Sequence, residues 1–521
     1  MSATELEIKL QIPDEALPAV RSRMAGASAV RTRMQAIYFD TEQGDLGRAG
    51  VALRLRREGS HWVQTLKASR GDGDAFERHE HNVPRAGAAE PALDVSLHSG
   101  TPAGDALVQA LSGAAGPGAA PPDLRELFRT DIQRTHRLHR LKGGCVEMAL
   151  DEGVIRCGHL TWPVQELEIE HKSGRRGVVP EAASQWVQRH GLWLDTRSKA
   201  ERGHRLWQAR IGQAVMPDDA RVSGAVSASE AFKAAPACLH AAGAAADVAL
   251  QAGLLKPLLP ALLANASELA GGTGTEEHIH QLRVSIRRLR SVVRLGDRWM
   301  PAWPEPVMSC IIGLFRTLGA QRDRDVVERE WGPALQRAGC PMQGVPPRGE
   351  AFTPPDLVQA LRARELNWAW LWLLRAAGDH ESTVPVSALA AGLHERLERW
   401  AAEISQQAVR FERLDEPAQH DLRKRIKRLR YALDSTALLD LSGPLKPRRE
   451  YTEALALAQT VMGQYCDLLT ARDVWRQACE QDAQAWFAVG WISAEIGRMK
   501  PNVAKTLRRH GRIDKRWRAA A

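Results

Sequence analysis

The chain has 521 residues, 44% of them hydrophobic, a formal charge of +9 and seven cysteines. Its length calls for roughly two to four domains rather than one core, and no run approaches the roughly 18 uninterrupted apolar residues of a membrane-spanning helix. The scattered cysteines Cys145, Cys157, Cys238, Cys310, Cys340, Cys466 and Cys479 contain no CxxC pair, which leaves neither a disulfide framework nor a zinc site to read.

The positive balance favours polyanionic partners, namely nucleic acid, an anionic membrane or a polymeric phosphate. No basic segment followed by an apolar run stands at the N-terminus, so the expected location is the cytoplasm. The chain opens MSATELEIKLQIP, in which Glu5, Leu6, Glu7, Ile8 and Lys9 alternate charged with apolar. That period of two predicts a strand with one face in a core and the other carrying charge. Candidate strands cover 4–12, 34–40, 51–58, 61–69, 76–83, 132–141, 144–151, 154–157 and 163–171. GDGD at 71–74 signals a tight turn, GAAGPGAAPP at 113–122 a loop, and a helix is expected at about 180–190 after Pro180.

The same alternation recurs along these strands. Arg54 and Arg56 oppose Leu53 and Leu55. Thr65 and Lys67 share a face, as do Arg78 and Glu80. Glu166, Glu168 and Glu170 oppose Leu167 and Ile169. Five such strands, with acids and bases in separate clusters, predict one common charged lumen, which a closed antiparallel barrel would provide. Buried charges persist only when paired or ligand-bound. A phosphate chain with a divalent metal is the economical occupant: Arg and Lys hold phosphoryl oxygens, and carboxylates hold hard cations.

Residues 209–225 read as a linker. From about 226 the chain turns rich in Ala, Leu and Arg at helical spacing, with breaks at 301–306, 341–355 and 443–447 and a turn at GGTGT, 271–275. HQLRVSIRRLR at 280–290 returns as HDLRKRIKRLR at 420–430. This repeat predicts two related halves, about 226–345 and 355–520. On a helix, Leu282, Ile286, Leu289 and Val293 form an apolar stripe, and His280, Arg283, Arg287, Arg290 and Arg294 a basic one. Leu422, Ile426, Leu429 and Leu433 repeat the first, and His420, Arg423, Lys427 and Arg430 the second. Like charges at i,i+4 destabilise a helix unless something compensates. A polyanion lying along both helices would do so. A solvated face, or ion pairs to Asp323, Asp325 and Asp467, is the alternative. The two histidines either donate to phosphate or cap and pack between helices. Neither GxGxxG nor a P-loop is present. With 5% aromatics and none interleaved in the Arg stripes, single-stranded nucleic acid is disfavoured.

The ordered motifs of 1–208 resemble the CYTH, or triphosphate tunnel metalloenzyme, superfamily. They are Glu5, Glu7 and Lys9 (ExExK); Tyr38, Phe39, Asp40 and Thr41; Leu53, Arg54 and Arg56; Thr65 and Lys67; and Arg78 and Glu80. Phe128, Thr130 and Arg134 follow, then Asp151 and Gly153, then Glu166, Glu168 and Glu170, and last Ser198, Lys199 and Gly203. Residues 226–520 resemble a CHAD domain through His280, Arg283, Val284, Arg287, Arg288, Leu289 and Arg290. The second copy is His420, Arg423, Lys427, Arg428, Leu429, Arg430 and Tyr431, with Lys424 in place of Val284. Arg322, Asp323 and Asp325 match R-D-x-D, and Met462, Gly463 and Asp467 a late motif whose first position departs.

The resemblance implies an antiparallel eight-stranded β tunnel or barrel, α+β in class, followed by an all-α domain of two four-helix bundles. The pairing resembles bacterial inorganic triphosphatases. It implies metal-dependent hydrolysis of inorganic triphosphate to pyrophosphate and phosphate, with long-chain polyphosphate held by the helices and, in some members, association with polyphosphate granules. Lys9, Arg54, Arg56, Lys67, Arg78, Arg134 and Lys199 would form the anion cage. Glu5, Glu7, Glu168 and Glu170 would hold Mg²⁺ or Mn²⁺. Glu166, or Glu168, would position the attacking water. Glu80 and Asp151 would orient a base or touch metal. A non-catalytic granule-associated polyphosphate binder and an adenylyl cyclase are the competing readings, although no adenine pocket is identifiable. Oligomeric state stays open.

Overall fold

The computed structural model describes residues 3–69, 77–87, 89–115, 122–212, 226–227, 247–248, 250–326, 331–342, 344, 357–378, 383–438 and 449–518. The GDGD turn, most of the 113–122 loop and of the 209–225 linker, and the 443–447 break lie outside these residues. So do the side chains of Glu5, Arg78, Asp323 and Asp325, and the roles expected of them.

Nine strands form one antiparallel sheet: β1 (Ala3–Gln11), β2 (Val30–Asp40), β3 (Val51–Glu58), β4 (His61–Ser69), β5 (Glu77–Arg85), β6 (Arg125–Leu141), β7 (Gly144–Cys157), β8 (Leu160–Gly174) and β9 (Trp193–Leu194). The spans expected at 51–58 and 61–69 match β3 and β4. The two short strands expected at 144–151 and 154–157 are one strand, continuous through Gly153. A side chain there would strike the Asp131 carbonyl oxygen, with Cβ 2.1 Å from it.

The sheet order is β5-β4-β3-β2-β6-β7-β8-β1-β9. This corrects the expected eight-stranded barrel: the strand count is nine, and the sheet curls without a full seam. Along its outer edge β1 is shared, meeting β5 only over Ala3–Leu6 and β9 over Leu10–Gln11. Closure into a regular barrel needs matched strand lengths and a uniform stagger. Here β6 to β8 run 14 to 17 residues while β1 and β3 to β5 run eight or nine.

Helices α1 (Leu17–Met24), α2 (Asp45–Arg48), α3 (Pro102–Ala115), α4 (Val178–His190) and α5 (Lys199–Arg210) dress the sheet. Ile8, Leu10, Met148, Leu150, Leu167 and Ile169 bury their side against α4. Leu53 and Leu66 pack on α2 and α3. The fifth helix lies inside the curl, where Leu206 and Trp207 meet Tyr38, Phe128 and Ile132. Gly203 permits that approach, since a Cβ there would sit 2.1 Å from the Phe128 ring.

The rest is helical: α6 (Leu250–Leu255), α7 (Leu259–Ala270), α8 (Glu276–Gly296), α9 (Glu305–Val326), α10 (Gly332–Arg337), α11 (Leu357–Arg362), α12 (Arg364–Ala377), α13 (Val386–Val409), α14 (Glu416–Leu438), α15 (Arg449–Ala478) and α16 (Ala485–Arg518). A two-residue ladder pairs Asp247–Val248 with Val384–Pro385. The expected all-α domain of two four-helix bundles is corrected to a helical region packed on the sheet. One continuous apolar core runs from Ile8 in the sheet through α4 and the helices to Ile513. The apolar stripes at Leu282, Ile286 and Leu289 and at Leu422, Ile426, Leu429 and Leu433 are buried as their spacing predicts.

Candidate active site

The curl of the sheet encloses a cavity of about 360 Å³, within the size range of small-molecule sites. Cross-strand partners share a face, so the register alone brings the charges together. Glu7 stands opposite Glu170, Lys9 opposite Glu168, and Gln11 opposite Glu166. Arg134 stands opposite Asp151, and Lys67 opposite Glu80. The acids Glu7, Glu147, Asp151, Glu168 and Glu170 come from β1, β7 and β8; the bases Arg54, Arg56 and Lys67 come from β3 and β4. Acids thus predominate on β1, β7 and β8, where Lys9, Arg134 and Lys199 stand among them, and bases on β3 and β4, where Glu58 and Glu80 pair with them.

Lys199 is the hub of the acidic wall. Ser198 and Glu201 cap each other's backbone and start α5 at this lysine. Its Nζ lies 2.6 Å from Asp151 Oδ2 and 2.8 Å from Glu168 Oε1, and it also contacts Glu166. Arg134 donates through Nε to Asp151 Oδ1 at 2.7 Å and through Nη2 to Asp151 Oδ2 at 2.6 Å, and it contacts Glu168. Burial pushes Glu168 upward, but Lys199, Arg134 and Lys9 outweigh it and hold its carboxyl well below the usual range. Burial likewise opposes charge on Lys199, and Asp151, Glu166 and Glu168 overcome it and raise the ammonium. One oxygen each from Asp151, Glu166 and Glu168 lie within 4.8 Å of one another, a carboxylate cluster able to coordinate a divalent ion.

The bases of β3 and β4 are partnered differently. Arg54 donates to the Tyr38 hydroxyl at 3.1 Å, and Arg56 pairs with Glu58. The Nε atoms of both arginines are buried without a hydrogen-bond partner. Burial and the neighbouring Arg54 bring Arg56 down to about 10. Burial should raise the Tyr38 phenol, yet Arg54, Lys199 and Arg56 lower it. Burial opposes charge on Arg54 itself, yet Tyr38 and Glu80 raise it, so the unmet demand on this wall is the two orphaned Nε donors, which an anion would answer.

A CYTH domain match covers residues 3–204, and a CHAD domain match covers residues 253–476. The chain is a CYTH domain fused to a CHAD domain. It is related to the inorganic triphosphatase of Haemophilus influenzae, 25% identical over 206 residues, 39% of this chain and 54% of that one. The match thus spans about half the length of that relative. Among solved structures, the CHAD domain of the plant Ricinus communis is similar over 53% of this chain and 96% of its own, with 24% identity and a TM-score of 0.38. A candidate adenylyl cyclase from Hippeastrum with a dominant triphosphatase activity is similar over 41% of this chain and 98% of its own, with 18% identity and a TM-score of 0.27.

Within the CYTH domain, Glu7, Lys9, Arg54, Arg56, Lys67, Glu80, Arg134, Asp151, Glu168, Glu170 and Lys199 all line the cavity. Glu80 pairs with Lys67 at 3.2 Å. Glu166 lies behind the wall: it is fully buried, absent from the lining, and held by Lys199 and Arg202. Sequence reasoning passed over Glu147 and Arg202. The first shares the strand parity of Asp151, and the second lies three residues along α5 from Lys199, so both left a periodic trace.

In the CHAD domain the two basic stripes face one another. Lys427 is brought down to about 7 by burial and by Arg423 and Arg287, which belong to different repeats. Arg294 and Arg290 similarly lower Arg428, after burial. Some of the charge is used internally. Arg423 reaches Asp467 at 2.9 Å, Arg288 reaches Asp434 at 3.1 Å, and Arg283 and Arg290 lie over the Phe315 ring. His280 and His420 are half-buried at the heads of the stripes. Among the described residues no helix is long and apolar enough to cross a membrane.

Proposed function

We propose that the CYTH domain, about residues 1–208, hydrolyses inorganic triphosphate to pyrophosphate and phosphate. The CHAD domain, about 226–520, binds long-chain polyphosphate, which would bring the protein to polyphosphate granules in the cytoplasm. The observation that carries the first part is one cavity lined both by Arg54 and Arg56, whose Nε atoms are orphaned, and by the carboxylates of Glu7, Asp151, Glu168 and Glu170. A phosphate chain satisfies the arginines, and a hard cation suits the carboxylates.

The donor set fits Mg²⁺ or Mn²⁺, being carboxylate oxygen throughout. Glu168 belongs both to the Asp151–Glu166–Glu168 cluster and to the set Glu5, Glu7, Glu168 and Glu170 expected from sequence, so the ion is assigned to Glu168 and its neighbours. When bound, such an ion neutralises phosphoryl charge and polarises the bond to be broken. Lys9, Arg54, Arg56, Lys67, Arg134 and Lys199, which all line the cavity, hold the non-bridging oxygens. Glu168, which lines the cavity as Glu166 does not, orients a water in line with the terminal phosphorus. The new bond forms from that water oxygen to phosphorus, the bond to the bridging oxygen breaks, and pyrophosphate leaves while the proton of the water passes to solvent. Phosphoryl transfer of this kind asks the protein for position and positive potential above all.

A phosphate-release panel tests the reading, with triphosphate, pyrophosphate, ATP, thiamine triphosphate and long polyphosphate, each with Mg²⁺ or Mn²⁺. Strong turnover of triphosphate alone is expected. Cyclic AMP formed from ATP would overturn the proposal.

A further inference from the structure

The segment that delivers Lys199 to the cavity is fastened to the CHAD domain on both sides of that lysine. Before it, the Leu194 N–H donates to Asn367 Oδ1 at 2.8 Å, and the Thr196 N–H donates to Ser267 Oγ at 3.0 Å. Arg197 makes a fork with Asp195, donates through Nη1 to Thr273 Oγ1 at 3.1 Å, and stands 3.7 Å from Glu268. After it, Arg205 donates through Nη1 to Glu268 Oε2 at 3.0 Å and contacts Oε1 as well. Thr273 Oγ1 donates to Glu268 Oε2 at 2.8 Å and fixes the carboxylate in turn. Gly271 lets Arg197 lie flush on the turn after α7, since a Cβ there would sit 2.3 Å from Nη1.

We infer that Glu268 of the CHAD domain is a positioning residue for the CYTH site, holding Lys199 in register through Arg197 and Arg205. The three residues are 3%, 6% and 6% exposed, so the carboxylate is their partner in place of bulk solvent. Lys199 lies two residues beyond one of these arginines and six before the other. Its ammonium is shared among Asp151, Glu166 and Glu168, and a small displacement of α5 would break that three-way contact. The helical domain thus supplies part of the site's framework, and the fused arrangement is needed for the geometry of the cavity. The catalytic part of this inference rests on the function proposed above; the positional part does not.

The test uses the full chain with Glu268→Gln, and Thr273→Val as a milder change that keeps the carboxylate. Acylation of Lys199 by acetic anhydride, in the absence of any ligand, is compared by mass spectrometry with that of the exposed Lys142. Triphosphate turnover is measured in parallel. Glu268→Gln is expected to raise the Lys199/Lys142 ratio and to lower kcat/KM, each by about 10-fold, as a displaced catalytic group does. Glu268→Asp should recover part of both, and Thr273→Val should move both less far in the same direction. A folded Glu268→Gln protein with the wild-type labelling ratio overturns the inference. If that variant does not fold, an unchanged ratio in Thr273→Val overturns it. A wild-type protein that leaves triphosphate intact would sink the proposed reaction, and the labelling ratio would still decide the positioning role.

Discussion

Arg54 and Arg56 illustrate how a side chain acquires a function from its neighbours' shortcomings. Each is half-buried with a buried Nε that has no hydrogen-bond partner, although Glu58 pairs with Arg56 and Glu80 supports Arg54. A charged hydrogen bond to a ligand is worth about 1.5–3 kcal/mol. Arg54→Ala or Arg56→Ala should therefore raise KM for triphosphate by about 10- to 100-fold, read from initial rates. Glu168 shows the opposite case, a carboxylate with more cationic partners than it needs. Its folded value is depressed, so its contribution is present above the ordinary glutamate value of about 4.3 and is lost as pH falls toward the folded value. Circular dichroism on acidification should show the wild type losing stability below about pH 4, and Glu168→Gln should flatten that dependence.

Among the elements, α5 and the paired helices α8 and α14 decide most. The fifth helix enters the curl because Gly203 lets the backbone touch the Phe128 ring. Gly203→Ala should push the helix outward and cost about 1–3 kcal/mol, measured by urea denaturation, with triphosphate turnover falling as Lys199 retreats. Across α8 and α14, burial, with Arg423 and Arg287 beside it, brings Lys427 down to about 7. A bound polyanion favours the protonated form, so binding takes up a proton. Affinity for long-chain polyphosphate should be highest below pH 7 and weaken above it by at most about 10-fold per pH unit. Titration calorimetry at pH 6 and pH 8 in two buffers checks this, and Lys427→Arg should weaken the dependence and leave the part that the histidines of the stripes contribute.

On the scale of the whole molecule, the two domains share one apolar core and a buried ionic junction. Removing one domain would leave an apolar face of the other and two arginines uncovered. Heating should therefore give one calorimetric transition for the CYTH and CHAD domains together. Two resolved transitions would mean that the junction contributes little.

Much of this was legible along the chain. Alternation with a period of two placed Glu7, Lys9, Arg54, Arg56, Lys67 and Glu168 on inward faces, and the helical period placed Leu282, Ile286, Leu422 and Ile426 in the core. Such patterns are local, because the pleat and the helical turn set side-chain direction within a few residues. The strand count, the shared edge of β1, the withdrawal of Glu166 behind Lys199 and the clasp of Glu268 on Arg197 and Arg205 were not legible. Each depends on which distant surfaces fit, across separations such as the 63 residues between Arg205 and Glu268. A charged residue looks the same in sequence whether its partner is a ligand, a neighbouring strand or another domain. Only the folded chain settles which of these compensates it.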